Sequence, residues 1–472
     1  MNKGLGDMAA EGGREHPSLL LCSLSLNLIL ASLFLRASPF FRRDDELTWS
    51  REAAAEAEAA AMVSCSGHGR AFLDGDLSED GSLVCDCNSC YAGADCSEFL
   101  PDCAAEVNSG DPLFLEPFWM KKRGSSAIML TGWHRMSYSF GHGSRKSARL
   151  ERAIRELHKV VGNAVTDGRF IVFGHGSTQL FTAAVHALSC PPPSHASPAK
   201  VVSAVPYYGA YQLQTDLFKS GEFEWQGDAY SWKINRSSVP NTRFVEFVTS
   251  PNNPDGQLNR AVLKGPNTTT IHDHAYYWPH FTAISEPADD DVMLFTMSKL
   301  TGHAGSRLGW AIVKDKGVFQ RMMDYVDLNT LSVSHDSQLR ALKLLNVALE
   351  KNGSEIFRFG YENMRSRWLR LERIVSHSER FSLQRLSPLY CNYFQRVSGP
   401  SPAYAWVRCE REEDRDCAKV MAEAGIIGRA GIVFGADPRY VRLSLLRAQD
   451  NFDLLEHKLQ ALVAQEEYVN TI

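Results

Sequence analysis

Hydrophobic and polar positions change rhythm several times along this chain. Between Ser147 and Val161 (SARLERAIRELHKVV) apolar residues return at helical spacing, and Phe170 to Phe173 (FIVF) is a short unbroken apolar run of the kind found in strands buried on both faces. Similar runs at Lys200 to Val205 (KVVSAV), Phe244 to Val248 (FVEFV) and Val292 to Phe295 (VMLF) predict further strands, and Ser337 to Leu349 a further helix. Strands alternating with helices argue for an α/β unit around a mainly parallel sheet. Cys190 to Pro198 reads as a Pro-rich surface loop, and residues 44–62 (DDELTWSREAAAEAEAAAM) as a helical spacer without a sustained apolar face. No internal repeat is present.

The N-terminal part follows other rules. From Pro17 to Leu35 there is no charge, nine residues are Leu, and Arg36, Arg42 and Arg43 follow; this approaches the ~20 residues that cross a bilayer. The segment spans or is cleaved. A weak processing site around Ala31 and Ala37 favours an uncleaved signal-anchor. Lys3 and Arg14 before it, against three Arg after it, would by the positive-inside rule leave the bulk of the chain in the cytosol.

The cysteines argue for the opposite side. Six of the eleven, Cys65, Cys85, Cys87, Cys90, Cys96 and Cys103, fall in one short Gly- and Asp-rich stretch, which reads as a disulfide framework in an oxidising compartment. The competing reading, zinc at Cys87 and Cys90, lacks a second CxxC or a His pair at finger spacing. Sequons at Asn235, Asn267 and Asn352 are usable only on the lumenal side, and Gly265-Pro266-Asn267-Thr268-Thr269 is the most turn-like of the three.

Composition narrows the function. The 472 residues exceed the ~250–300 at which one core stops growing, which excludes a lone binding module. With 44% hydrophobic residues the chain is not generally disordered. Fifty Lys and Arg against 55 Asp and Glu, a net charge of -5, lack the basic excess of a nucleic-acid binder.

Ligands of a parallel α/β sheet bind beyond the carboxyl ends of the strands. After FIVF comes Gly174-His175-Gly176-Ser177-Thr178-Gln179, ahead of a helix from about Leu180; glycines and hydroxyls at a helix start suit a phosphate. After KVVSAV comes Pro206-Tyr207-Tyr208, and after FVEFV comes Ser250-Pro251-Asn252-Asn253-Pro254-Asp255-Gly256. His272-Asp273-His274-Ala275-Tyr276 and Thr296-Met297-Ser298-Lys299 follow, with Arg307 eight residues after Lys299. Each alone has a plain alternative: an N-cap, a turn, a solvated acid, a surface lysine. The ordered set matches the needs of pyridoxal 5'-phosphate: a Lys for the Schiff base, a carboxylate for the pyridine nitrogen, an aromatic to stack, and hydroxyls with Arg for the phosphate.

Residues 106–472 resemble the fold-type I aminotransferases, and specifically the plant alliinase and tryptophan aminotransferase-related family. FTMSKLTGHAGSRLGWA (295–311), SPNNPDG (250–256), HDHAYYWPHF (272–281), GWHRMSY (132–138) and RYVRLSLL (439–446) carry the resemblance. CSGHGRAFLDG (65–75) and CDCNSCYAGADC (85–96) resemble the EGF-like module of alliinases and their membrane-anchored relatives. The organisation expected is a tail at 1–17, a transmembrane signal-anchor at 18–38, a spacer at 39–62, the EGF-like module at 63–105, and at 106–472 a large domain with a mainly parallel sheet plus a smaller α/β domain.

The resemblance implies that Lys299 binds the cofactor covalently, Asp273 pairs with its pyridine nitrogen, Asn253 and Tyr276 bond its ring hydroxyl, and Tyr208 stacks on the ring. It implies that Ser177, Thr178, Thr296 and Arg307 hold the phosphate, with Tyr138 reaching over from the second subunit of a homodimer. Arg442 would clamp the substrate carboxylate, and Ser109-Gly110-Asp111 would close over it. It also implies disulfides Cys65 to Cys85, Cys87 to Cys96, Cys90 to Cys103 and Cys409 to Cys417, leaving Cys22, Cys190 and Cys391 as thiols.

Two reactions share this machinery. Once Lys299 has taken the α-proton, reprotonation on the cofactor gives transamination, whereas loss of a group from the β-carbon gives carbon-sulfur lysis. GSTQL, PYY, GHAG and the apolar segment lean toward transamination of an aromatic amino acid, tryptophan to indole-3-pyruvate in auxin formation, with a 2-oxo acid as acceptor. The EGF-like module and GWHRMSY lean toward alliinase chemistry. A non-catalytic binding protein on the same fold is the third reading, disfavoured by an intact Lys299, Asp273, Arg307 and Arg442.

Overall fold

The computed structural model describes residues 24–33, 48–189, 197–235 and 241–469. The chain divides into two compact units, Met1–Ser64 with Ala71–Val84, and Cys65–Arg70 with Cys85–Ile472. In the first, the expected spacer is the helix Thr48–Met62, and residues 24–33 are helical with exposed side chains. Among the described residues no helix is long and apolar enough to cross a membrane. The rest of the expected 18–38 signal-anchor lies outside the described residues, so that expectation has no structural support.

The second unit opens with the stapled module. The bonds are Cys65 to Cys85, Cys87 to Cys96 and Cys90 to Cys103, with Cys409 to Cys417 further on, as expected from the resemblance. Cys391 is a buried free thiol, while Cys22 and Cys190 lie outside the described residues. Such cross-links replace apolar burial that a short Gly- and Asp-rich segment cannot supply. The His68 ring stacks on Tyr91 with centroids 3.7 Å apart, and His68 and Asn88 both bond the carboxylate of Asp450.

The body is built on a seven-stranded sheet. Its strands are β1 (Phe170–Gly174), β2 (Ala199–Ser203), β3 (Phe223–Asp228), β4 (Phe244–Thr249), β5 (Thr268–Asp273), β6 (Val292–Thr296) and β7 (Gly309–Val313), in spatial order β1-β7-β6-β5-β4-β2-β3. All pairings are parallel except those of β7, which runs against β6 and β1. The unbroken apolar runs are explained by burial on both faces. Ile171, Phe173, Met293, Phe295, Trp310 and Ile312 enter one core cluster, and the alternate Val172, Val292, Leu294, Ala311 and Val313 enter the other.

Helices cover both faces. Helix α1 (Ala148–Val161) buries Leu150, Ile154 and Leu157 in the first cluster; Ser147 caps its start and Gly162, at φ 70°, ends it. Helix α2 (Gly176–Ser189) buries Leu180, Phe181, Ala184 and Val185 in the second. It begins four residues earlier than the pattern suggested, so Ser177 and Thr178 lie inside its first turn. Helices α3 (Lys316–Thr330), α4 (His335–Ala348) and α5 (Ser354–Val375) lead into a four-stranded antiparallel sheet of β8 (Phe381–Leu383), β9 (Tyr404–Cys409), β10 (Arg429–Ala430) and β11 (Tyr440–Ser444), ordered β8-β9-β11-β10. Helix α6 (Gln449–Val469) follows. Ala105–Glu106, just past the last module cysteine, pairs in parallel with Ile426–Ile427, and the chain then passes beside β11, where Ser444 N–H donates to Val107 O at 2.8 Å.

Candidate active site

The carboxyl ends of β1, β2, β4, β5 and β6 meet the second sheet around a cavity of about 340 Å³. Its floor is set by strand register. Asp273, the last residue of β5, is buried; its carboxylate accepts from Tyr211 Oη at 2.7 Å and from Ala275 N–H at 3.0 Å. Tyr211 is itself fixed, bonded to Thr249 Oγ1 at 2.7 Å and stacked on Phe247 at 4.1 Å. Burial raises the pKa of Asp273, and the Tyr211 bond opposes that rise by favouring the ionised form.

One end of the cavity is an anion cradle. The first turn of α2 presents free backbone N–H groups and the Ser177 and Thr178 hydroxyls. Arg307 adjoins them, its Nη2 donating to His175 O at 3.3 Å and to Thr178 Oγ1 at 3.4 Å. Gly176 is required here: its φ is +68°, and a Cβ would stand 2.5 Å from Arg307 Nη2. Thr296 ends β6 and caps the short turn Met297–Leu300 that carries Lys299. Its hydroxyl bonds Ser298 Oγ at 3.0 Å.

The opposite end belongs to the second sheet. Arg442 of β11 is 1% exposed, yet its guanidinium donates to Asn253 Oδ1 at 2.9 Å and to Asn108 O at 2.6 Å, while its buried Nε has no partner among the described residues. It lies over the Tyr404 ring, 4.0 Å from the centroid, a contact worth about 2 kcal/mol when desolvated. Tyr404 Oη bonds Tyr276 Oη at 2.6 Å. Burial would raise the Tyr404 phenol, but Arg442 and Lys299 outweigh it and the net direction is down. Lys299 Nζ projects between the two ends, donating to Gly110 O at 2.5 Å. Burial lowers its pKa, and Arg442 and Arg307 act in the same direction.

Of the residues expected at a site, Ser109, Gly110, Asp111, Ser177, Thr178 and Tyr208 line this cavity, as do Asn253, Asp273, Tyr276, Thr296, Lys299, Arg307 and Arg442. Tyr138 does not; it is 74% exposed and outside the lining. Asn253 and Tyr276, expected on a cofactor hydroxyl, bond Arg442 and Tyr404 here. The sequence reading missed Tyr211, Ser298, Tyr404, Asn108 and Arg429, whose Nε donates to Asn108 Oδ1 at 2.8 Å. Only Tyr211 had a usable signal, an aromatic one helical turn beyond Tyr207 and Tyr208.

A partly buried amine, a buried carboxylate that accepts from two donors, and a helix start beside a guanidinium fit pyridoxal 5'-phosphate. With the largely parallel sheet and its lone antiparallel strand, they define a fold-type I, aminotransferase-like protein. The multiple substrate aminotransferase of Thermococcus profundus shares this fold, with a TM-score of 0.58 at 14% identity over 79% of this chain and 93% of that one.

The chain belongs to the alliinase family: residues 105–463 match the family described as Allinase and residues 48–103 the alliinase EGF-like domain. Family members depend on pyridoxal phosphate. The tryptophan aminotransferase-related protein 3 of Arabidopsis thaliana is 54% identical, covering 89% of this chain and 92% of its own. An alliin lyase of Allium cepa is 47% identical, covering 94% and 92%.

Proposed function

We propose that the protein is an aminotransferase that converts an aromatic L-amino acid, tryptophan foremost, to its 2-oxo acid, indole-3-pyruvate, a step of auxin formation. The observation that carries the reading is a buried guanidinium, Arg442, facing the same cavity as the amine of Lys299. Arg442 binds the substrate carboxylate, which fixes the α-carbon. Lys299, whose neutral form burial favours, takes the α-proton and returns it. Bound pyridoxal phosphate supplies the electron sink for that proton transfer. Asp273 holds a proton on the cofactor's ring nitrogen, and the Ser109 to Asp111 peptide excludes water from above Lys299. Tyr208, Phe181, Tyr276 and Tyr404 give the cavity aromatic walls, which support an aromatic substrate.

Carbon-sulfur lysis is the second reading, favoured by the Allinase match and by the alliin lyases among the relatives. Incubation of the purified protein with tryptophan and pyruvate, and separately with an S-alkyl cysteine sulfoxide, decides between them. Indolepyruvate in the first reaction supports the proposal; free pyruvate released only in the second overturns it. The working unit in this proposal is a homodimer, with exposed Trp133, Met136 and Tyr138 on the surface that meets the partner. The four disulfides support a secretory-pathway location, and the anchoring role of residues 18–38 stays part of the proposal.

A further inference from the structure

Strand β5 ends in His272-Asp273, and His274 follows. Side chains alternate along an extended strand, so the two imidazoles leave on the face opposite to the one from which Asp273 enters the cofactor cavity. Both converge on a single oxygen. Asp290, on the segment entering β6, places Oδ2 3.2 Å from His272 Nδ1 and 3.3 Å from His274 Nε2. The three donor atoms all lie within 4.8 Å of one another.

With a neutral His274, hydrogen bonding accounts for only half of this arrangement. His274 Nδ1 lies 2.9 Å from the backbone oxygen of Ser250. A carbonyl only accepts, so Nδ1 carries the proton, and in the neutral ring Nε2 turns a lone pair toward a carboxylate oxygen. In that neutral form two acceptors face each other at 3.3 Å, a contact that becomes a hydrogen bond only if the ring takes up a second proton. A proton on Nε2 or a metal ion between the two atoms removes the conflict, and the geometry distinguishes them. An imidazole that donates its second nitrogen to a backbone carbonyl is also the usual way in which a metal-binding histidine is oriented.

The distances agree with that reading. An ion with tetrahedral ligands at about 2.0–2.1 Å separates neighbouring donor atoms by roughly 3.3–3.4 Å. Both measured edges to Asp290 are close to that, and both are longer than a charge-assisted hydrogen bond of about 2.7–2.9 Å. The donors are also held in place. His274 is buried, with ring centroids 5.4 Å from Tyr277 and 5.5 Å from Phe295, and its N–H donates to Leu294 O of β6 at 2.9 Å. Nearby Lys314 forms its ion pairs with Asp289 and Asp291, at 3.5 and 3.7 Å, while its charge also reaches Asp290.

We propose that His272, His274 and Asp290 form a binding site for a divalent transition ion of the zinc class, with water completing the coordination, on the side of β5 away from the cofactor. Two imidazoles and one carboxylate suit zinc or cobalt rather than magnesium or calcium, which prefer all-oxygen sites. The ion ties β5 to the entry of β6 directly behind Asp273.

The test uses the full-length, cofactor-loaded protein, stripped of metal by a chelator and titrated with Co2+. One equivalent per chain, with ligand-field bands displaced by Zn2+, is expected. Asp290→Asn and His272→Gln should each weaken uptake at least tenfold while the cofactor band and far-UV dichroism are retained, whereas Asp291→Asn should behave as wild type. Equal uptake by wild type and both variants, or no stoichiometric uptake by wild type, overturns the proposal. Should a variant fail to fold, anomalous scattering from wild-type crystals grown with Zn2+ decides: a peak between the three side chains supports the site, and its absence refutes it.

Discussion

The two ends of the cavity are built by different means. The anion cradle is local: Gly176, Ser177 and Thr178 are consecutive at the start of α2, and Arg307 reaches them from the loop before β7. Its backbone N–H groups and short hydroxyls suit a dianion without burying a charge of their own, and Arg307 adds a cation beside them. The carboxylate end is assembled from afar. Arg442, Asn253, Tyr404, Arg429 and the backbone of Asn108 come from distant parts of the chain, and the buried cation is balanced only by dipoles and ring faces. In the function proposed above, the local end would hold a cofactor that stays and the distant end a substrate that comes and goes, for which Arg442, whose buried Nε has no hydrogen-bond partner among the described residues, would keep a donor free.

Separate tests address each end. Lys299 stands between them, so Lys299→Ala should give the largest loss, about 10⁴-fold in turnover, with no cofactor fixed to the chain by borohydride; mass spectrometry of the reduced protein checks it. Next, Arg442→Met should raise KM for the amino acid about a hundredfold, the cost of removing a buried charge partner, without changing cofactor retention. A parallel loss of cofactor would break the division between the ends. Gly176→Ala should do the reverse. Its strained φ and the clash with Arg307 should weaken cofactor binding about tenfold, read by titrating cofactor-free protein, with KM unchanged.

The smallest effect is on pH dependence. Burial raises the Asp273 pKa and the Tyr211 hydrogen bond opposes it. Removing the donor in Tyr211→Phe therefore raises that pKa further, and a protonated Asp273 cannot pair with a protonated ring nitrogen. The low-pH limb of kcat/KM should move to higher pH by about 0.7 unit, the equivalent of one hydrogen bond of about 1 kcal/mol. An unmoved limb would assign it to another group.

The same division decides what the sequence discloses. Strands β1, β4 and β6 are legible because both faces are buried and their apolar runs are continuous; β5 is not, since Thr268, Thr269 and Thr270 hide it, and neither is the edge strand β3. The cradle can be read because Gly176, Ser177 and Thr178 are neighbours in sequence and Arg307 follows Lys299 at a short spacing. Tyr404 and Arg429 are invisible because no local pattern tells that β9 and β10 flank the strand bearing Arg442. Tyr138 marks another boundary: its expected place is across a subunit interface, and within one chain it is simply exposed.

The bond between Arg442 and Asn108 O joins residues 334 apart. A ribosome adding about 5–20 residues per second needs roughly 20–70 s to travel from one to the other. The stapled module, whose bonded cysteines span only Cys65 to Cys103, can close during that wait. The roof of the cavity cannot. Until β11 has been made the growing chain lacks Arg442, so the end of the cavity that this residue forms can be assembled only after every strand of the large sheet has been synthesised.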